Sequence, residues 1–439
     1  MRRRESAGRV ARGIDRLNAV AVAVEPGMTD RDEPQPRIRP APPGGGPAAL
    51  LFATMFPQTA VSMLSLAPPV MAEAIAQGYG LPAEVAGAYS GLVYAFVLLG
   101  NLVAAPLIRR FGPLRLSFAC VVGGALGLAV FASAGMVGLL VGAVLIGICY
   151  GPLTPASSQA IAHEAGSPSF VLIVSIRQTS VPLGGVLAGL LVPPLLARFG
   201  WVAASLTLAG GSVLAALAFA AASPLVRRER VAATPARARH ILDPLYLIFR
   251  NPVLLRLAGA SAIFGAIQLV LSAFLVIYLV RDVGHDLVTA GLLLSASQVA
   301  GILGRPAWGY LADRTRASRR VLIGLGLGTA VSCVLTAALA LIGPSWLSVL
   351  VAVGFGATAT GWNGVFLAEI MGAVAPAEVG AATSGGLLFT YGGIVLGPAL
   401  FGALAHTAGF VPAFLTLALG ALVAATLVGA MPRPQPTPR

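Results

Sequence analysis

Apolar residues run almost unbroken from 50 to 75, and stretches of the same texture recur along the chain. Twelve of them are long enough to cross a bilayer: 50–75, 84–107, 114–134, 137–161, 169–195, 201–222, 253–280, 287–311, 320–342, 345–372, 381–405 and 410–430. A crossing helix needs about 20 apolar residues. Backbone groups in hydrocarbon must bond within their own segment, so the stretches are predicted as helices. A transmembrane barrel would show short alternating strands instead. Gly and Pro recur inside the runs, as membrane helices tolerate.

Composition supports this reading. The chain is 57% hydrophobic and 10% charged, where a soluble domain carries roughly 25% charged residues. The fold class expected is an all-α membrane protein with twelve transmembrane helices in two six-helix pseudo-repeats. The expected parts are a disordered tail (1–47), a first bundle (48–223), a linker (224–252), a second bundle (253–431) and a short tail (432–439). The first tail is polar, rich in Arg and Pro, and ends in PPGGGP, a composition that cannot bury a core. It is not a signal peptide, because AVAVAV is too short and acidic, Pro-rich sequence follows. Met28 opens MTDRDEPQPR and is expected to be the true start. Within the linker, DPLYLIFRNPVLLRL (243–257) is amphipathic and is expected to lie along the membrane surface.

The net charge of +13 would suit nucleic acid, but the placement of the charges argues otherwise. All 29 basic residues are arginine, and 25 of them fall in the tails and in the connections after the second, sixth and eighth helices. Only Arg198 and Arg281 fall on the opposite side. The positive-inside rule then places both termini in the cytoplasm. An arginine-only, Ala/Gly/Pro-rich chain points to a GC-rich coding sequence and so to a bacterial inner membrane. Cys120, Cys149 and Cys333 lie inside apolar runs and read as small buried residues.

The two halves look duplicated. APLIRRFGPLR follows the second helix, and GYLADRTRASR follows the eighth. The second of these, Gly309 to Arg319, resembles the loop motif of the major facilitator superfamily, roughly Gly-x-Leu-Ala-Asp-Arg-x-Gly-Arg-Arg. Six plus six helices with this motif after helices 2 and 8 extend the resemblance over nearly the whole chain. It implies a transporter in which two bundles rock about a midplane substrate site. It also implies that Asp313 pairs with arginines and, with Gly309 and Arg314, gates the cytoplasmic side. In the first copy Arg110 and Gly112 match, but Ala105 stands at the glycine and Arg109 at the aspartate. Arg305, two turns before Asp313, is assigned to the same gate.

The other two arginines outside the loops lie inside spans, and Arg177 is the deeper. Its helix starts near Ser169, so Arg177 sits about 12 Å in, near the middle of a roughly 30 Å core. Insertion there costs about 2.5–3.5 kcal/mol, so a partner is expected. Glu73, Glu84, Asp282 and Asp286 fall near the outer surface, and only Glu369 is plausibly embedded. An anionic substrate would supply the missing charge, and Arg suits a carboxylate because its planar fork binds two oxygens. Arg177 could instead be structural, bonded to helix carbonyls or to Glu369. Gln178 stands beside it. Gln58 (with Thr59 and Ser62) and Gln268 (with Ser272) fall at matching depth in helices 1 and 7, which line the cavity in the family. Asn363 and Tyr391 complete the candidate ligands, and Glu369 is the candidate for proton coupling.

The segment RQTSVPLGGVLAG, with GWNGVFLAE in helix 10, is also similar to facilitators described as cyanate- or organic-anion-permease-like. The expectation is a secondary transporter taking up a small organic anion with protons, working as a monomer. The alternative is a proton-coupled efflux pump for amphiphilic or cationic compounds. Such pumps commonly carry an embedded acid in the first half, and none is seen here. A receptor that moves nothing is a third reading. No Walker loop, zinc spacing or paired carboxylates point to an enzyme, and no cofactor or metal is expected.

Overall fold

The computed structural model describes residues 47–79, 85–133, 135–164, 167–229, 242–343 and 345–432. Nearly all of the expected first tail with Met28, the middle of the linker, Glu84 and all but the first residue of the expected C-terminal tail lie outside them. Among the described residues every regular element is a helix. The first half comprises α1 (Pro47–Val70), α2 (Ala72–Tyr79), α3 (Val85–Leu102), α4 (Ala104–Phe111), α5 (Pro113–Ser133), α6 (Gly135–Tyr150), α7 (Leu153–Ile161), α8 (Phe170–Arg177) and α9 (Ser180–Ala222). The connection carries α10 (Pro224–Arg228) and α11 (Asp243–Arg250). The second half comprises α12 (Pro252–Tyr278), α13 (Leu287–Thr315), α14 (Ser318–Ile342), α15 (Leu347–Ala359), α16 (Asn363–Gly372), α17 (Val379–Ala408) and α18 (Phe410–Gly429).

Ten stretches are long and apolar enough to cross a bilayer, and α3 with α4, bent by 54°, makes an eleventh. The stretch Phe170–Ala222 counts as one of the ten, yet its 53 residues would reach about 80 Å if straight. Gly200 breaks it, at φ 75° and ψ 169°, a conformation costly for any residue with a Cβ. Both limbs then pack on the same part of α1. Gly184 abuts Thr59 and Ser62, while Phe219 stacks on Phe56 with ring centroids 5.4 Å apart. The chain therefore reverses at Gly200, and among the described residues the crossings number twelve.

The repeat is visible in the pairing. α1 packs on α9 in the first half as α12 packs on α17 in the second. Phe56, Phe118 and Phe219 form a three-ring stack that ties α1, α5 and α9 together. In the second half Tyr278 meets Phe410 and Phe414, and its hydroxyl donates to Thr336 O at 2.7 Å. The α12–α17 contact is a backbone-on-backbone approach. A Cβ at Gly393 would lie 2.6 Å from Ala262 C and 2.9 Å from Ala262 Cα. Gly393→Ala is therefore expected to force the two helices apart at about 1–3 kcal/mol. A lowered thermal midpoint in detergent would show it, and an unchanged midpoint would mean the contact is looser than drawn.

Three details differ from the sequence reading. The first apolar run bends at Met71 and divides into α1 and α2. The 243–257 segment is two elements, because Asn251 caps α12 by accepting from Val253 N at 2.9 Å and Leu254 N at 3.3 Å. The Gly309–Arg319 motif is not a loop through most of its length. α13 continues to Thr315, and Arg316 ends it in the left-handed region at φ 49°.

Candidate functional site

Three spans are interrupted at mid-length: at 151–152 between α6 and α7, at 178–179 between α8 and α9, and at 360–362 between α15 and α16. Breaks of this kind free backbone carbonyls inside the bundle. The second has a plain cause. Four residues after Gln178 comes Pro182, which has no N–H to return, so Gln178 O is left open. Arg305 uses it, its Nη1 donating there at 2.6 Å while its Nε donates to Thr360 O at 3.1 Å. Thr360 O also accepts from Asn363 Nδ2 at 3.2 Å.

Arg177 ends α8 and is 1% exposed. Its Nη2 donates to Gln58 Oε1 at 2.9 Å and to Thr154 Oγ1 at 3.5 Å, and its Nη1 donates to Gln178 Oε1. Thr154 donates in turn to Gln58 Oε1 at 3.1 Å. Two buried donors remain without a partner, Arg177 Nε and Gln58 Nε2. The phenols of Tyr150 and Tyr391 lie close enough to interact with the Arg177 charge. No carboxylate among the described residues pairs with Arg177. It is bonded neither to Glu369 nor to helix carbonyls. A buried cation with only neutral partners is an expensive arrangement, costing several kcal/mol even after relaxation.

The second half supplies a neutral wall. Asn363 Nδ2 donates to Gln268 Oε1 at 3.0 Å, and both side chains are half-buried. Trp362 stacks on Phe264 with centroids 5.3 Å apart, and its Nε1 is a third buried donor without a partner. Tyr391 faces Tyr94 across the two halves at 6.3 Å. Five of the six predicted ligands, Gln58, Arg177, Gln178, Asn363 and Gln268, join into one hydrogen-bonded line through Arg305 and Thr360, and Tyr391 stands outside it. Arg305, assigned from the sequence to the gate alone, is a member of this line and is 6% exposed.

The bonds that join the halves cluster towards the motif end. Asp313 accepts from Val171 N at 3.0 Å and Leu172 N at 2.7 Å, so it caps α8 instead of pairing with arginines. Favourable charge at a helix N-terminus explains the choice. Cβ atoms at Gly309 and Gly364 would each fall 2.6 Å from Ser175 Cβ, so α8 lies in a notch that only glycine leaves open. Asn101 Nδ2 donates to Ser384 O at 2.7 Å. Gln159 Nε2 donates to Pro376 O at 2.7 Å, and its Oε1 accepts from Gly380 N at 2.8 Å. Beyond Ser180 the same span packs on α1, in its own half. The molecule is therefore closed at the motif end.

The first motif copy behaves differently. Gly112, at φ 87°, ends α4, and Arg110 is exposed over the Phe111 ring. Glu229 reaches in from the linker and accepts from Leu114 N and Arg115 N, each at 2.9 Å, capping α5. Burial pushes the Glu229 carboxyl above its ordinary range, and those two N–H bonds pull it back down. Arg314 points away from the junction, donating to Tyr310 OH at 3.0 Å. Glu369 forms an ion pair with Arg319 at 3.2 Å, and Arg319 also donates to Pro432 O. Gln159, Glu229, Thr154 and Ser175 were not singled out from the sequence. Only the Pro four residues after Gln178 offered a readable signal for the break they surround.

Among the described residues, two helical bundles of six crossings, closed at one end around a buried polar line, define a multi-pass membrane protein. The sequence pattern of the Major Facilitator Superfamily matches residues 50–371, and the chain belongs to that family. An uncharacterized MFS-type transporter of Mycobacterium tuberculosis (strain CDC 1551 / Oshkosh) is 31% identical over 260 residues, 58% of this chain. The matched stretch spans 56% of that relative's length. Among solved structures, the MFS transporter FucP in its outward conformation superposes with a TM-score of 0.70 at 18% identity, over 87% of this chain and 98% of that one. The human organic anion transporter MFSD10 (TETRAN) gives 0.67 at 16% identity, over 88% and 100%. These likenesses show the fold.

Proposed function

We propose that the chain is a secondary transporter that takes up a small organic anion with protons, with Arg177 as the anion's principal ligand. One observation carries the reading: Arg177 is 1% exposed and has only neutral partners, with Nε unbonded. An anion at this position would neutralise the charge and fill the open donors of Arg177 and Gln58. Gln178, Gln268, Asn363 and Tyr391 are the remaining ligands of the site. Gly309 and Asp313 gate the cytoplasmic end through the α8 cap, Arg305 links that gate to the site, and Arg314, Arg110 and Gly112 are the remaining gate residues, acting outside the cap. The protein sits in a bacterial inner membrane with both termini in the cytoplasm, by the arginine distribution.

Proton coupling is assigned to Glu369. Protonating it would break its ion pair with Arg319 at the closed end. Uptake of labelled small carboxylates into proteoliposomes tests the whole reading. Flux should rise with an inward proton gradient in the wild type. In Glu369→Gln it should continue but lose its gradient dependence. Transport of lipophilic cations with no carboxylate flux would replace this reading with efflux.

A further inference from the structure

Two arginines, not one, are buried in this line. Arg177 belongs to the first half and Arg305 to the second, and they are 1% and 6% exposed. They meet at a single residue, Gln178, whose side-chain oxygen takes a bond from Arg177 and whose carbonyl takes one from Arg305. Among the described residues neither guanidinium has a carboxylate partner. The partners of Arg305 are two backbone carbonyls, bonded through Nε and Nη1, which leaves Nη2 outside those bonds. The interior of the closed bundle thus carries two like charges within a few side chains of each other. In a low-dielectric interior such a pair repels strongly and each member carries its own desolvation cost.

We infer that the preferred substrate is a dianion, with one anionic group on Arg177 and the second on Arg305. This rests on the anion reading above and deepens it. A monoanion would neutralise one guanidinium and leave the other uncompensated. A dicarboxylate of short span balances both and bridges the two halves at the point where the protein itself bridges them through Gln178. Arg305 is then the residue that separates dianions from monoanions. The neutral Asn363–Gln268 pair and the Trp362 Nε1 donor suit the uncharged part of the same molecule, through hydrogen bonds.

The test uses the full chain in nanodiscs, with dicarboxylates of two to six carbons and the monocarboxylate of the same length for each. Affinities are read by thermal shift and calorimetry on wild type, R305Q, R305K and R177Q. At least one dicarboxylate should bind wild type about tenfold or more tightly than its matched monocarboxylate. R305Q should erase that advantage by weakening the dicarboxylate about tenfold more than its matched monocarboxylate, and R305K should restore part of it. R177Q should weaken both. On the wild type alone, the affinity of a three- to six-carbon dicarboxylate should fall as acidification protonates its second carboxylate, at a higher pH than that at which its matched monocarboxylate weakens. Should R305Q fail to fold, R305K and the wild-type acidification series decide. Equal binding of both classes, or equal weakening of both by R305Q, would overturn the dianion and leave the anion reading standing. Binding of both classes unchanged in R177Q, or binding of neither class to wild type, would remove the anion reading and this inference with it.

Discussion

Arg177→Gln is expected to weaken anion binding by about 30- to 4,000-fold with little change in the stability of the ligand-free protein. The two halves of that expectation have different causes. Removing one partner of a buried charge pair costs about 2–5 kcal/mol, which is a loss of about 30- to 4,000-fold in affinity. The substitution also removes the bonds from Nη2 to Gln58 and Thr154 and from Nη1 to Gln178, each involving a charged donor and worth about 1.5–3 kcal/mol. Against that loss stands the desolvation of an unpaired guanidinium, several kcal/mol in the opposite direction. The two quantities are of similar size and opposite sign, so the ligand-free thermal midpoint should stay close to that of the wild type. A structural arginine would behave the other way round. If the midpoint fell by many degrees while the surviving protein still bound the anion, Arg177 would be scaffold.

Asp313→Ala should open the motif end. Two N–H bonds to a charged acceptor are lost together, each worth about 1.5–3 kcal/mol. Their sum is about 3–6 kcal/mol, present only while α8 lies against α13. Each 1.4 kcal/mol is tenfold, so the closed population should fall by about a hundredfold or more relative to the open one. Distances between spin labels at 167–169 and 316–320 would lengthen in the variant. Asp313→Asn keeps one acceptor oxygen and should fall between the two. Gln159, Asn101 and the Ser175 notch remain in the variant. Unchanged label distances in Asp313→Ala would mean that those contacts hold the end shut and the cap is ornamental.

Much of this was legible because the solvent is lipid. A run of about 20 apolar residues in hydrocarbon has one solution, so the crossings could be placed from the sequence with errors only at their ends. The depth of Arg177 followed from counting along a helix. The partners did not follow. That Gln58 faces Arg177 depends on the rotation of α1 about its axis, and an apolar run says little about rotation. The second use of Arg305 was hidden for a related reason: its spacing from Asp313 is visible in the sequence, but its bond to Gln178 O depends on the packing of two halves. The substitution of Arg109 at the aspartate position was visible. That Gln159 would bind the α17 N-terminus, and Glu229 the α5 N-terminus, was not, because both act across long sequence separations.

The interruption at 178–179 has a mechanical consequence. α8 is carried by the first half in sequence but seated in the second half in space, held by Asp313 and by the notch at Gly309 and Gly364. α9 starts two residues later and packs on α1. While the Asp313 cap holds, rotation of one bundle against the other is taken up by the torsion angles of Gln178 and Thr179, which serve as a swivel. Arg177 is the residue next to that swivel, so the turn that opens the molecule also re-aims its guanidinium. Binding and turning therefore share an axle. A bound ligand that fixes the guanidinium acts as a brake, and releasing it frees the rotation at the same point.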